Sequence, residues 1–560
     1  MTDSVLKNLT RIVAVLTALF TFITGVVNMT AGFANKVTFA VDASRPGEVI
    51  GNKVSNANMW SGGSLPGDIF IDPDADPTIF TQYIQIMTAT GGSAERDLFK
   101  DPYDRSVLND YDFSPLIGAC RKILELGAKP HIKTGAVPLK LTTDPHFGVF
   151  GVNVYPPDDY EQYYTYIGEI AKALVAEFGA GEVLTWRFGV LTEYENKDWF
   201  MAKSGDPHDS MVAFCKLYDY TVAALQDNIG RDVTVGAHSM TVADGLWDER
   251  DFIEHCAKGA NYKTGAAGTR ICFLNASFYD SRPGEFGDRS LPETVAELRG
   301  AAENAGLFGL TYGIDEGRIL SGTKGAAAGD LNLRICGFTY QAGYDARLIK
   351  QMADNGIDYF SSWGMTTNGH WGGLPTVSYH VARRFFDMAG SARVPVAKRG
   401  GYLKDAEVEA LAGYDEAGGT LFIMAYNFKN KLDYKVPSAM TFRVSVPQFD
   451  GKDVTVTKYV VDDDANFFDE WQEDRLTHGI TDDCFVWSPD DPAIDTPTTL
   501  NAPWARDLYF GQLREKYREC AKLTPEVSRA TVEGGKLTLE ATAAPNAVVF
   551  FSIAPAESAQ

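Results

Sequence analysis

Two apolar periods alternate along this chain as far as residue 394, and that alternation limits its fold more than any other feature. Runs of β type are predicted near Lys53–Asn58, Tyr83–Ala89, Lys129–Thr134, Leu184–Thr192, Asp232–His238, Ile271–Ser277, Leu307–Asp315 and Ile357–Trp363. Between several of them, "LIGACRKILELG", "YEQYYTYIGEIAKALVAEFG", "MVAFCKLYDYTVAALQDNIG" and "PETVAELRGAAENAG" take the helical period and stop at glycine, the residue that most readily ends a helix. Strands joined through helices, and apolar on both faces, pair in parallel. Eight such units predict a closed (β/α)₈ barrel. An open dinucleotide-binding sheet would carry a glycine-rich phosphate turn after its first strand, and none is present.

The pattern changes from about Val396. "LFIMAYNF", "MTFRVSVP", "VTVTKYVV", "KLTLEA" and "AVVFFSIAP" read as strands separated by turn residues, an all-β signature. The early "KVTFAVDAS" has the same alternation. The predicted organisation is a signal peptide or anchor over 1–34, a catalytic barrel over 35–394 and a β-sandwich over 395–560, with a strand inside 35–48 joining the sandwich. A length of 560 residues with 45% hydrophobic content is ample for cores of this size.

Lys7 and Arg11 precede an apolar run from Ile12 to Val27 and the small residues Gly32 and Ala34, the plan of a secretory signal. The expectation is therefore a secreted or cell-surface protein, membrane-bound only if that segment stays uncleaved. Seven cysteines without a C-x-x-C pair rule out a zinc ribbon or a disulfide-dense scaffold; most are expected to be small buried hydrophobes, with one pair bridged. A net charge of −23 with no Lys/Arg cluster excludes a nucleic-acid partner. No H-E-x-x-H, P-loop or G-x-S-x-G motif occurs, so no metal, no cofactor and no serine nucleophile is expected.

In a parallel barrel, reactive groups stand where strands end and βα loops begin. Glu193 closes the fourth predicted strand in "LTWRFGVLTEYEN", and Glu316 closes the seventh in "GLTYGIDEGRIL". Two carboxylates facing each other across one mouth suit glycoside hydrolysis, in which one protonates the leaving oxygen while the other attacks the anomeric carbon. Asp315 and Glu195 stand beside them in sequence. His238, Tyr279, Asp280 and Trp363 also fall at strand ends, where imidazole, carboxylate and aromatic groups bind sugar hydroxyls and C–H faces.

Most of the chain resembles glycoside hydrolase family 39, the group of β-xylosidases and α-L-iduronidases. "YDFSPLIGACRKILELGAKPHIKTGAVP" is similar to the family's third barrel unit, and "FGAGEVLTWRFGVLTEYEN" to its fourth, where a W-x-F-E-V-W-N-E-P-N strand carries the acid/base. "GLTYGIDEGRIL" resembles the seventh, its Asp-Glu pair lying closer to the iduronidases, and "KYVVDDDANFFDEWQED" resembles a feature of the family's sandwich. The resemblance implies a retaining glycosidase with Glu193 as acid/base and Glu316 as nucleophile. The chain departs from the family pattern at Gly189, Leu191, Thr192 and Tyr194, and Gln85 stands roughly where relatives carry arginine. Thr192 replaces an asparagine that bonds the sugar's 2-hydroxyl. The expected substrate-binding residues are thus Thr192, His238, Tyr279, Trp363 and Asp315. The expected activity is exo-cleavage of an oligosaccharide or polysaccharide, β-xylosidase- or arabinofuranosidase-like. The alternatives are an α-L-iduronidase-like enzyme and a catalytically inactive carbohydrate-binding protein.

Overall fold

The computed structural model describes residues 35–59, 74–241, 244–280, 289–319, 339–361, 372–401, 406–431, 433–485 and 500–556. Strand β1 (Lys36–Asp42) is followed by eight parallel strands in sequential order: β2 (Asn56–Met59), β3 (Tyr83–Ile86), β4 (Lys129–Thr134), β5 (Arg187–Val190), β6 (Thr234–Ser239), β7 (Phe273–Asp280), β8 (Thr311–Ile319) and β9 (Tyr359–Phe360). A parallel bridge between Asn56 and Ser361 joins the last strand to the first and closes the barrel. Each predicted strand is present, most of them shorter than the apolar run that announced it.

Strand alternation divides the barrel chemically. Ile84, Ile132, Phe188, Val235, Leu274 and Ile314 belong to the apolar core shared with the surrounding helices. The residues of opposite parity, among them Gln85, His131, Lys133, His238, Asn275 and Asp315, are buried and polar. Helix ends follow the sequence. Ser290 and Glu293 form a capping box at the start of Leu291–Ala305, and Gly306 ends that helix at φ 96°.

The remaining strands are β10 (Ala392–Val394), β11 (Val396–Gly400), β12 (Ala406–Asp415), β13 (Thr420–Lys429), β14 (Ser438–Ser445), β15 (Asp453–Val461), β16 (Glu526–Thr531), β17 (Lys536–Ala543) and β18 (Val548–Pro555). They form two facing sheets, in the orders β11-β1-β14-β17 and β10-β12-β13-β18-β15-β16. Strand β1 runs parallel to β14 and antiparallel to β11, so it is an interior strand of the sandwich. Phe39 stacks on Phe442 with centroids 5.3 Å apart, and Phe551 from the other sheet meets Phe442 edge-on at 5.2 Å. The fold is a (β/α)₈ barrel joined to a β-sandwich.

The carboxy-terminal part is not all β, as its patterning had suggested. Helices Phe468–His478, Pro503–Leu508 and Arg514–Cys520 lie between β15 and β16 and surround Trp471, Tyr509 and Tyr517. Phe467, Phe468 and Trp471 have helical spacing, a signal shorter than the neighbouring strands. The expected disulfide is not found among the described residues: Cys120, Cys215, Cys256, Cys272, Cys484 and Cys520 are free. No helix of the described residues is long and apolar enough to cross a membrane, and the amino-terminal segment 1–34 lies outside them.

Candidate active site

Glu193 sits just past β5, with its neighbour Leu191 at φ 61° and Glu193 itself at φ 45°. Left-handed backbone at two non-glycine residues is strained, a cost commonly found where a loop must aim a functional side chain. Glu193 is 6% exposed. Its Oε1 accepts from the Ser277 hydroxyl at 2.7 Å, and its Oε2 from the Asn196 amide at 2.8 Å.

A β-bulge delivers Glu316 to the same place. Ala276 pairs with Ile314 and the next residue, Ser277, pairs with Glu316, leaving Asp315 as the extra residue of β8. Consecutive side chains normally point to opposite faces of a strand, and a bulge relaxes that rule. Here Asp315 enters the barrel interior while Glu316 turns to the mouth. Glu316 Oε1 accepts from the Tyr279 hydroxyl at 2.7 Å, whereas its Oε2 is buried without a hydrogen-bond partner among the described residues.

The two glutamates meet. One oxygen of each and a ring nitrogen of His238 all lie within 4.8 Å of one another. Burial, and then the charge of Glu316, push the Glu193 carboxyl up to about 7. Beneath them Lys133 pairs with Asp315 at 3.1 Å and bonds His238 Nδ1. Burial works against the Asp315 charge, but Lys133 and the Asn275 amide outweigh it and hold the carboxyl well below the usual range. The Tyr359 hydroxyl also donates to Asp315, at 2.9 Å. Two carboxylates and an imidazole would ordinarily invite a divalent ion. Here the ring nitrogens of His238 are engaged by Lys133 and Ser277, and the ammonium group next to them repels a cation.

The expected sugar-binding residues divide. Tyr279 holds Glu316. Asp315 is fully buried in the ion pair below the mouth, and His238 is fully buried with both ring nitrogens occupied, so neither presents a free polar group to a ligand. Thr192 is 1% exposed and its hydroxyl faces the Met87 sulfur at 4.0 Å. Asp280 is buried and accepts from Tyr344 at 2.7 Å. Trp363 lies outside the described residues. Sequence reasoning missed Lys133, Asn196, Asn275 and Ser277. Gly189 was the one available signal, because a Cβ there would lie 3.0 Å from His131 Nε2 and 3.5 Å from Lys133 Cγ. The departure at Gly189 makes room for the buried imidazole of His131, with Lys133 in ordinary contact beside it.

Glu195 is also buried. Its Oε1 accepts from Ser239 at 2.5 Å and from the Met240 amide at 2.7 Å, while its Oε2 has no hydrogen-bond partner among the described residues. Burial pushes this carboxyl up to about 8. A carboxyl raised on folding is protonated in the native state over a range where the unfolded chain has already ionised, so its contribution to stability declines as pH rises from about 4.5 to about 8. Glu195→Gln removes that loss. Relative to wild type, the variant is expected to gain on the order of a few kcal/mol between pH 5 and 8, measured by denaturant unfolding at both values. A constant difference between the two would contradict the assignment.

Residues 99–303 match the family Glycosyl hydrolases family 39. A β-xylosidase of Caldicellulosiruptor saccharolyticus is 28% identical over 178 residues, which is 30% of this chain and 34% of that protein; the chain thus spans about a third of this curated relative's length. Among solved structures, a GH39 enzyme from Xanthomonas axonopodis pv. citri superposes with a TM-score of 0.63 at 14% identity, covering 93% of this chain and 97% of that one. A bacterial orthologue of human α-L-iduronidase gives a TM-score of 0.63 at 16% identity, covering 94% and 85%. At such identities the two structures speak for the fold. The family match runs through the strand that carries Glu193, so over residues 99–303 the chain is similar to glycosyl hydrolases family 39.

Proposed function

We propose that the protein is a retaining exo-glycosidase in which Glu316 is the nucleophile and Glu193 the acid/base. The observation that carries this reading is the approach of one oxygen of each carboxylate within 4.8 Å, Glu193 just past β5 and Glu316 at the bulge of β8. Retention calls for carboxyl groups about 5–5.5 Å apart, whereas an inverting pair stands farther apart to admit a water. Tyr279 fixes one oxygen of Glu316, and Oε2, without a hydrogen-bond partner among the described residues, is the one that attacks the anomeric carbon. As the bond from C1 to Oε2 forms, the glycosidic bond breaks and the Glu193 proton passes to the leaving oxygen. Once Glu316 is esterified its charge is gone, and with it one cause of the raised Glu193 pKa. Glu193 then serves as the base that deprotonates water for the second displacement.

A neutral pentose of the xylose or arabinofuranose type fits this site better than a uronate, because the buried cation Lys133 is already committed to Asp315. The substrate is an oligosaccharide or polysaccharide outside the cell, a location supported by the signal-like segment 1–34. Aryl glycosides and natural oligosaccharides, with products followed by mass, test both activity and sugar. Binding without turnover would favour the carbohydrate-binding alternative, and turnover of iduronides alone would favour the iduronidase-like one. Since the acid must be protonated, kcat/KM is expected to fall about tenfold per unit as pH rises above about 7. A profile flat to pH 9 would remove Glu193 from that role.

A further inference from the structure

We propose that Lys133, His238 and Ser277 form a one-way chain of hydrogen-bond donors that ends on Oε1 of Glu193 and favours the ionised form of that carboxyl. The direction follows from what each group can give. An ammonium group has only donors, so the bond between Lys133 Nζ and His238 Nδ1 is donated by the lysine. Asp315, which also receives bonds from Asn275 and Tyr359, holds Lys133 charged at 3.1 Å. With Nδ1 accepting, the proton of a neutral imidazole sits on Nε2 and is donated to Ser277 Oγ at 2.8 Å. The serine, accepting from the histidine, turns its own proton to Glu193 Oε1 at 2.7 Å.

Oε1 therefore receives an O–H whose direction is fixed by the groups behind it. The Asn196 amide donates to Oε2 at 2.8 Å, so each oxygen of Glu193 accepts one bond and the carboxyl plane is held. Burial keeps His238 far below its usual pKa, so the relay does not reverse by charging the ring. The charged groups around Glu193 are Glu316 of β8 on the mouth side, and Lys133 of β4 with Asp315 of β8 below. His131 of β4, the other titratable group beneath, is held neutral by burial, its pKa lowered to about 3. Lys133, His238 and Ser277 are positioning residues: they aim a donor at the carboxyl that, on the reading proposed above, exchanges a proton with the leaving oxygen.

Two measurements on the full chain test the chain of donors without relying on turnover. Selective ¹⁵N labelling of histidine will report His238 as the neutral Nε2–H tautomer from about pH 5 to about pH 9. An Nδ1–H tautomer, or an imidazolium titrating in that range, overturns the proposal. The carboxyl C=O stretch of Glu193, assigned by its disappearance in Glu193→Gln, gives the pKa of that group directly. Ser277→Ala removes a donor that favours the ionised form, and the midpoint is expected to rise by about one pH unit and to return in Ser277→Thr. An unchanged midpoint in Ser277→Ala overturns it. If that variant fails to fold, the wild-type histidine spectrum decides alone. A protein that hydrolyses no glycoside would defeat the functional reading and leave both measurements standing.

Discussion

Glu316→Gln is expected to lower turnover by on the order of 10⁴-fold or more, with the fold and sugar binding retained. The amide keeps the bond from Tyr279 but has no anionic oxygen to attack the anomeric carbon. Glu193→Ala should behave differently, and the contrast identifies the roles. Loss of a general acid matters in proportion to how badly the leaving group needs a proton, so the variant is expected to lose about 10²–10⁴-fold on natural glycosides. Activated aryl glycosides should suffer far less. Azide should restore part of the Glu193→Ala activity and give a glycosyl azide of retained configuration, because the covalent intermediate still forms on Glu316. If Glu316→Gln kept substantial activity, or if azide gave the inverted product with Glu193→Ala, the assignment of nucleophile and acid would be wrong.

Lys133→Met is expected to be among the most damaging single substitutions in the barrel, costing about 3–5 kcal/mol in reversible unfolding. Lys133 and Asp315 are 1% and 0% exposed at the side chain, so removing the cation leaves a buried carboxylate without its counter-charge. Asp315→Asn alone strands the lysine in the same way. The double variant Lys133→Met, Asp315→Asn leaves no uncompensated ion and should recover most of the loss. Strong positive coupling in this cycle is the signature of a desolvated pair, whereas simple additivity would show that the two side chains act independently.

The barrel and the sandwich were legible in the sequence because their signals are periodic. Eight β-type runs, the glycines closing the intervening helices and the period-2 strands after Val396 all report which face of an element meets the core. The glutamates were legible for a related reason, since a strand end in such a barrel is a place as well as a residue. Other parts of the site depend on events that leave no periodic trace. The bulge at Asp315 changes the register of one strand by one residue and converts two adjacent acids from opposite orientations into a stacked pair, one in the core and one in the mouth. Lys133 looked like a polar residue in a short strand, and only its proximity to Asp315 and His238 gives it meaning. Thr192 and His238 occupy the predicted strand ends, but the pattern does not encode their partners, the Met87 sulfur for one and Lys133 and Ser277 for the other.

Strand β1 has a consequence for how the chain matures. Asn35, next to it, bonds Ser438 across 403 positions of sequence, and β1 itself lies between β11 and β14. During synthesis this segment emerges long before either neighbour exists, and the whole barrel must be made while its hydrogen-bonding edges stay unoccupied. The barrel, whose strands each pair with the next to appear, can close vectorially; the sandwich cannot assemble until the chain circles back to its own beginning. Once that happens the two units are buckled together at both ends of the barrel, so that one cannot be peeled from the other by cutting a single linker.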